Sequence, residues 1–158
     1  MKKVSVLLLF VSTLILFQSC RVKLEPVVIL SFKEKIEKLF PNAVVTKLEK
    51  YDEFSRVYKL VVNQPFDSKQ KELGSFEQTL YLSHTDEEMP MVLITEAESV
   101  KLSTHELCKL FKGNQIQFED RVHKNNVPNE YKKRTLAVED IHNVITKLKR
   151  LYTGKWIS

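Results

Sequence analysis

Side chains of the types that form a serine–histidine–aspartate triad are present, but their spacing does not assemble one. Ser99 with His105 and Asp140 with His142 are the pairs to consider. A nucleophilic serine needs a sharp turn that exposes its hydroxyl, and the sequence contains no G-x-S-x-G segment. Asp140 and His142 are two residues apart, so on a helix they would face different directions. The sequence therefore predicts no catalytic residue within this chain.

The histidines, cysteines and glycines are too scattered to hold a metal ion or a cofactor. The four histidines, at positions 84, 105, 123 and 142, form no H-x-x-x-H pair. Cys20 and Cys108 are too few for a Cys-rich zinc site or a disulfide framework. The three glycines are too far apart for a phosphate-binding loop. We therefore expect no metal and no cofactor.

Two glutamates follow apolar segments that predict buried strands. Glu96 comes after the run 91–95, and Glu119 comes after 115–118. Sheets of α/β proteins place ligand-contacting groups at the carboxyl ends of their strands. One interpretation is that these carboxylates bind a substrate amino group. The alternative is a loop salt bridge with Arg121 or with a lysine.

The first twenty residues have the pattern of a bacterial export signal. Lys2 and Lys3 precede an uncharged, mostly apolar run over 4–17. That run is shorter than the ~20 residues of a membrane span, but it suits the apolar region of a signal peptide. It is followed by Ser19 and Cys20, which resemble a lipoprotein cleavage site with a lipid-accepting cysteine. An ordinary secretory signal and an uncleaved anchor are the alternatives.

This pattern predicts how the chain is divided and where it resides. Residues 1–19 would be a lipoprotein signal peptide, Cys20 the lipidation site, 20–29 a tether and 30–158 the folded domain. Two or more acyl chains give lasting membrane attachment. We therefore expect the protein in the bacterial cell envelope, lipid-anchored at the outer membrane and facing the periplasm.

The charge balance argues against a nucleic-acid partner. The formal net charge is +5, from 25 basic and 20 acidic residues. The sequence has no dense lysine and arginine stripe interleaved with aromatic residues, which is the usual footprint of nucleic-acid binding.

The hydrophobic periodicity predicts an α/β domain whose antiparallel strands come first and are followed by β-α-β-α-β. Helical spacing and capping residues predict helices over 30–40, 103–112 and 135–152. Ser103 or Thr104 would cap the second helix and Gly113 would end it. The apolar stripes of the second and third helices would include Leu107, Leu110, Phe111 and Val138. Alternating or continuous apolar runs predict strands over 44–51, 56–62, 75–83 and 91–95, and strand starts at 115–118 and 155–158.

Several short motifs in this order resemble the secreted bacterial serine aminopeptidases of the tripeptidyl-aminopeptidase type. The motifs are NQPFD at 63–67, FEQTLYLSH at 76–84, PMVLITE at 90–96, NQI at 114–116 with Glu119 and Arg121, EDIH at 139–142 and YTGKWIS at 152–158. The resemblance implies an α/β-hydrolase fold. It also implies a serine that attacks the peptide carbonyl, a histidine that transfers the proton, and release of short peptides from free N-termini.

The resemblance further implies that the catalytic residues lie beyond this chain. In such a fold the nucleophile elbow follows the strand that begins near 155, so Ser158 would belong to the approach strand. We therefore expect an incomplete α/β-hydrolase-like sheet, cut before the nucleophile elbow and inactive alone. Glu96, Glu119 and Arg121 would be remnants of the substrate pocket. The partners would be peptide N-termini or a complementing C-terminal half.

Two other hypotheses remain open from the sequence. The chain could be a standalone periplasmic lipoprotein that keeps part of a hydrolase scaffold for binding or structure. It could also be an unrelated small α/β lipoprotein.

Overall fold

The computed structural model describes residues 29–95 and 102–158. These residues form α1 (Phe32–Leu39), β1 (Val44–Lys47), β2 (Arg56–Pro65), β3 (Ser75–His84), β4 (Met91–Ile94), α2 (Glu106–Phe111), β5 (Asn114–Phe118), α3 (Arg134–Leu148) and β6 (Trp156–Ile157). Single 3-10 turns lie at Lys71–Leu73, Arg121–His123 and Asn129–Tyr131. None of the helices in these two ranges is both long and apolar enough to cross a membrane.

The six strands form one open mixed sheet in the spatial order β1-β2-β3-β5-β4-β6. β1, β2 and β3 are antiparallel neighbours, and β3 also pairs antiparallel with β5. β4 pairs parallel with β5 on one side and with β6 on the other. The predicted order of an antiparallel front followed by β-α-β-α-β is confirmed, as is the α/β class.

One face of the sheet is covered by α1 and α3, and it holds the larger core. Ser31 begins α1 with a capping box, in which its Oγ accepts from Glu34 N at 3.3 Å and its own N donates to Glu34 Oε2 at 2.7 Å. The buried side chains of this core are Phe32, Ile36, Phe40, Val45, Tyr58, Leu60, Val62, Leu80, Leu82, Met91, Ile116, Phe118, Val144, Leu148 and Tyr152. Each fully buried side chain of this size stabilises the fold by about 1.5–3 kcal/mol.

The opposite face has a smaller core near α2. Phe54, Val57, Val92 and Cys108 are buried there. Every residue of β5 is buried, because β5 lies between β3 and β4 and is covered on both faces. The same burial explains the continuous apolar run that predicted β4. In a strand that is covered on both faces, apolar and polar residues do not alternate.

The start of α2 differs from the prediction that Ser103 or Thr104 caps it. His105 is the N-cap, and its Nδ1 accepts from Leu107 N at 3.2 Å. Ser103 is not available for capping because its Oγ lies 3.3 Å from Nε2 of Gln117 in β5. A long-range contact therefore moves the start of the helix to Glu106.

Three residues that helical spacing assigned to the core are exposed. Leu110 and Phe111 in α2 are 71% and 43% exposed, and Val138 in α3 is 65% exposed. Gly113 was expected to end α2, but Lys112 adopts the left-handed conformation there, with φ of 49°. A Cβ on Gly113 would lie 2.5 Å from the Pro90 carbonyl oxygen, so this glycine permits close approach to the start of β4.

Candidate functional site

The predicted pocket residues that the structure describes lie directly after β5. Glu119 and Arg121 follow its last residue, Phe118. Glu96 and Cys20, the predicted lipidation site, lie outside the described residues, so both calls stay predictions. Because β4, β5 and β6 are parallel, their carboxyl ends lie at one edge of the sheet. This is the edge at which α/β enzymes assemble their sites.

Arg121 is the most completely bonded polar side chain of this region, and it is 2% exposed. Its Nε and Nη2 donate to the two carboxylate oxygens of Asp140 in α3, each at 2.6 Å. Nη1 donates to Phe66 O at 2.7 Å and to Tyr131 O at 3.3 Å, and Nη2 donates to Pro65 O at 3.1 Å. A guanidinium has five N–H groups, so all five are directed at acceptors within the protein.

The hydrogen bonds of Arg121 join three segments that are distant in sequence. These are the segment after β5, helix α3, and the turn after β2. The guanidinium also lies 4.9 Å from the centre of the Phe76 ring. Burial raises the pKa of Asp140, and the hydrogen bonds from Arg121 oppose that shift. A ligand-contacting role for Arg121 stays a prediction, and it would require one of these hydrogen bonds to open.

Glu119 is more accessible than Arg121 and is bonded on one side. Its Oε2 accepts from Thr79 N and from Lys124 Nζ, both at 3.0 Å. Burial raises the pKa of Glu119, but the hydrogen bonds from Lys124 and Thr79 outweigh it, and the net pKa is lowered. This contact with Lys124 is the lysine salt bridge that the sequence offered as the alternative to substrate binding. A role in binding a substrate amino group stays a prediction.

His84 and Tyr152 form a buried pair that the sequence did not predict. His84 Nδ1 lies 3.1 Å from the Tyr152 hydroxyl, and the imidazole stacks on Phe32 with 3.8 Å between ring centres. Burial lowers the pKa of His84 to about 4, and the positive charge of Arg56 acts in the same direction. The two residues are 68 positions apart, so no local pattern could have identified the pair.

Within residues 29–95 and 102–158, the histidines make no hydrogen bond with a serine hydroxyl; Ser99, the serine considered with His105, lies outside the described residues. His84 contacts Tyr152, His105 accepts from Leu107 N, and His142 lies 3.5 Å from a threonine hydroxyl. Within residues 29–95 and 102–158 no three His, Cys, Asp or Glu side chains are grouped so that they could hold a metal ion. Burial raises the pKa of Cys108 to about 12, which makes its thiol a poor nucleophile.

The surroundings of the edge strand β6 are more apolar than those of Arg121. A cavity of about 100 Å³ lies beside β6. It is lined by Leu93, Ile145, Lys149, Trp156, Ile157 and Ser158. The indole N–H of Trp156 is buried and meets no hydrogen-bond acceptor among the described residues.

The model of one protein family, described as PS-10 peptidase S37, matches residues 30–158. The chain belongs to the peptidase S37 family. This S37 chain is also 28% identical over 109 residues to the prolyl tri/tetrapeptidyl aminopeptidase of Streptomyces mobaraensis. That match covers 65% of this chain and 23% of the relative, so the chain spans about a quarter of the relative's length. No solved structure matches the chain.

These findings confirm the predicted resemblance. This S37 chain corresponds to an N-terminal part of the proteins of a serine aminopeptidase family. The described residues supply a buried ion pair and a partly exposed carboxylate at Glu119, both directly after β5.

Proposed function

We propose that this chain is the N-terminal scaffold of an S37-type serine aminopeptidase and does not hydrolyse peptides by itself. In this proposal the sheet is an incomplete α/β-hydrolase sheet. The nucleophilic serine, the aspartate and the histidine are supplied by polypeptide outside these 158 residues. The complete site releases short peptides from free N-termini, and prolyl tri- and tetrapeptides are suggested by the name of the Streptomyces relative.

The family match over residues 30–158 is the observation on which this proposal depends. The parallel order β5-β4-β6 supports it, because an α/β enzyme site forms where the carboxyl ends of such strands meet. The hydrogen bonds of His84, His105 and His142 are consistent with it, since among the described residues none of them is made with a serine hydroxyl. A base within hydrogen-bond reach of the hydroxyl is required for that activation.

The carboxylate of Glu119 is our proposed contact for the amino group of a peptide. Its Oε2 accepts from Thr79 N and from Lys124 Nζ, and the carboxylate follows the carboxyl end of β5. The lowered pKa keeps this carboxyl ionised at neutral pH, as an ammonium ligand requires. Arg121 would hold the turn after β5 in place, and Glu96 would add a second carboxylate after β4.

Location in the cell envelope is a further part of the proposal. Acylation of Cys20 would attach residues 30–158 to the outer membrane through the tether 20–29. Metabolic labelling with a radioactive fatty acid tests this, with Cys20→Ser as the matched variant. Label on the natural chain and none on Cys20→Ser is the expected result. Equal labelling of both would contradict it.

Peptidase activity is tested with the full chain, purified in a mild detergent because residues 4–17 are apolar. Chromogenic tripeptides and tetrapeptides that end in proline are supplied, with and without a serine-reactive phosphonate. We expect no phosphonate-sensitive turnover, either from the natural chain or from Ser158→Ala. Phosphonate-sensitive release by the natural chain that is lost in Ser158→Ala would overturn the proposal and assign Ser158 as a nucleophile.

A further inference from the structure

A cavity of about 270 Å³ lies beside α2, on the side of the sheet that holds the smaller core. Gly113, in its wall, directly precedes β5, whereas Glu119 directly follows β5. The cavity therefore lies at the opposite end of β5 from the candidate site. Substrates of α/β enzymes bind at the carboxyl ends of the strands, so this cavity is separate from the proposed peptidase site.

The inner part of the cavity lining is buried and held in place by hydrogen bonds. Phe54 and Cys108 are each 3% exposed and give it an apolar surface. Cys108 Sγ donates to Asn114 O at 3.1 Å, and Thr85 N donates to Asn114 Oδ1 at 2.8 Å. Asn114 is itself fully buried. The cavity is therefore preformed, as ligand pockets usually are.

The outer part of the lining carries charges of both signs. Glu53, Lys109 and Lys112 line the cavity and are exposed. None of them takes part in an ion pair among the described residues. Because these side chains surround one opening, each can bind the opposite charge of a ligand. The volume lies below the ~300–1,000 Å³ of typical ligand pockets, so the ligand is a small molecule.

The α2 side of the sheet also holds three of the four buried polar atoms that meet no partner among the described residues. Thr104 Oγ1 belongs to the cavity lining, and the other two are Ser83 Oγ and Gln117 Oε1. Ser83 and Gln117 share this face because Gln115, opposite Ser83, also lies opposite Val92 of the smaller core. Buried polar groups usually have partners, and a ligand in the cavity would give one to Thr104.

We propose that this cavity binds a small apolar α-amino acid in its zwitterionic form. The carboxylate of the ligand contacts Lys109 and Lys112, and its ammonium group contacts Glu53. Its side chain packs against Phe54 and Cys108. An anion alone would leave Glu53 unmatched, and an amine alone would leave both lysines unmatched, so a zwitterion fits the three charges best. This site is additional to the proposed peptidase function and does not depend on it.

The test is a titration of the full chain, labelled with ¹⁵N and held in detergent micelles, with L-leucine. Backbone amide shifts report both the affinity and the place of binding. We expect saturable shifts at Thr85 and Gly113, with a Kd between about 0.1 and 10 mM, and none at Glu119 or Arg121. N-acetyl-leucine lacks the ammonium group and leucinamide lacks the carboxylate, and we expect each to bind at least about fivefold more weakly than leucine.

Substitutions at the rim test the two charges separately. Lys109→Gln combined with Lys112→Gln should weaken leucine binding at least about tenfold, and Glu53→Gln should weaken it about threefold or more. The matched control combines Lys38→Gln with Lys133→Gln, which removes two exposed lysines elsewhere. It lowers the net charge equally and should leave the Kd within about twofold.

The outcomes decide both the place and the chemistry of binding. Leucine shifts at Thr85 and Gly113 that the rim substitutions weaken, and the control does not, support the site. No saturable shift at these amides up to about 50 mM leucine would overturn it, and so would leucine shifts at Glu119 and Arg121 instead. Equally tight binding of N-acetyl-leucine, or an unchanged Kd in Glu53→Gln, would overturn the zwitterion as the ligand.

Discussion

The carboxyl ends of β5 and β6 lie at the same edge of the sheet, yet their polar groups are bonded to very different extents. After β5, all five N–H groups of Arg121 are directed at protein acceptors, and the side chain is 2% exposed. At β6, the buried N–H of Trp156 meets no acceptor among the described residues, beside an apolar cavity of about 100 Å³.

The comparison shows how differently the two regions depend on hydrogen bonds. A buried cation is tolerated only when its charge and its donors are matched, so the Arg121 region is finished as a structural anchor. A buried polar atom without a partner is uncommon, and Trp156 Nε1 shares that state with Ser83 Oγ, Thr104 Oγ1 and Gln117 Oε1 among the described residues. Removing a hydrogen-bonding group should therefore be costly for stability at Arg121 and mild at Trp156.

Asp140→Asn should have the largest effect, because it removes the charge that balances the buried Arg121. We expect the free energy of unfolding to fall by about 3–5 kcal/mol, as measured by chemical denaturation of the full chain. Glu37→Gln is the matched control. Its ion pair with Lys33 has side chains that are 44% and 47% exposed, and we expect a loss below about 0.5 kcal/mol. Similar losses for the two variants would show that Arg121 is not an anchor.

Gly154→Ala should disturb the segment that leads into β6. A Cβ at this position would lie 2.6 Å from the Glu88 carbonyl oxygen and closer still to that of Met89. Backbone atoms cannot move away as a flexible side chain can, so we expect a loss of about 1–3 kcal/mol in unfolding free energy. Thr153→Ala, at the exposed neighbour, should change it by less than about 0.5 kcal/mol. A neutral Gly154→Ala would mean that β6 is not held close to residues 88–89.

Stability should depend on pH through His84. Its pKa is lowered to about 4 in the folded protein, mainly by burial, and an unfolded histidine has a pKa of about 6.5. Between these values the unfolded state binds more protons, so the folded state loses stability as the pH falls from about 6.5 to about 4. We expect up to about 2 kcal/mol after allowance for solvent screening.

His84→Gln should flatten this pH dependence, measured by denaturation at several pH values across the same window. His142→Gln makes the same chemical change on the exposed side of α3 and serves as its control. An unchanged slope in His84→Gln would assign the pH dependence to other groups.

Trp156→Phe should have the smallest effect on the chain alone, because the N–H that it removes meets no acceptor in the part of the chain that the structure describes. We expect a change within about 0.5 kcal/mol. Tyr152→Phe is the matched comparison. It removes a hydroxyl that lies 3.1 Å from His84 Nδ1 and should lower the unfolding free energy by about 1 kcal/mol. Calorimetric unfolding of both variants measures the difference, and an equal loss would show that the indole N–H is already satisfied.

Elements whose cause is local could be predicted from the sequence. α1 follows from the Ser31 and Glu34 capping box and from helical spacing. β2 and β3 follow from their apolar alternation, although pairing between them carries β2 on to Pro65, three residues past the predicted end. The continuous apolar run at 91–95 indicated a strand covered on both faces, as β4 is.

Features that depend on distant partners could not be predicted in this way. Asp140 is 19 residues from Arg121, and the Phe66 and Pro65 carbonyls are 55 and 56 residues away from it. The short motif that contains Arg121 includes none of these partners. It therefore could not show that Arg121 forms a structural ion pair. Leu110 is exposed although its spacing suits a helical core stripe, because α2 covers only the small second core. Tertiary packing, and not periodicity, decides such positions.

The buried position of Cys108 has a consequence for studying the other end of the chain. Its thiol donates to Asn114 O at 3.1 Å, and burial raises its pKa to about 12, so it should not react with a maleimide at neutral pH while the protein is folded. The sequence has two cysteines. One mass tag on the native protein would therefore mean that Cys20 carries a free thiol, and none would mean that its sulfur is blocked.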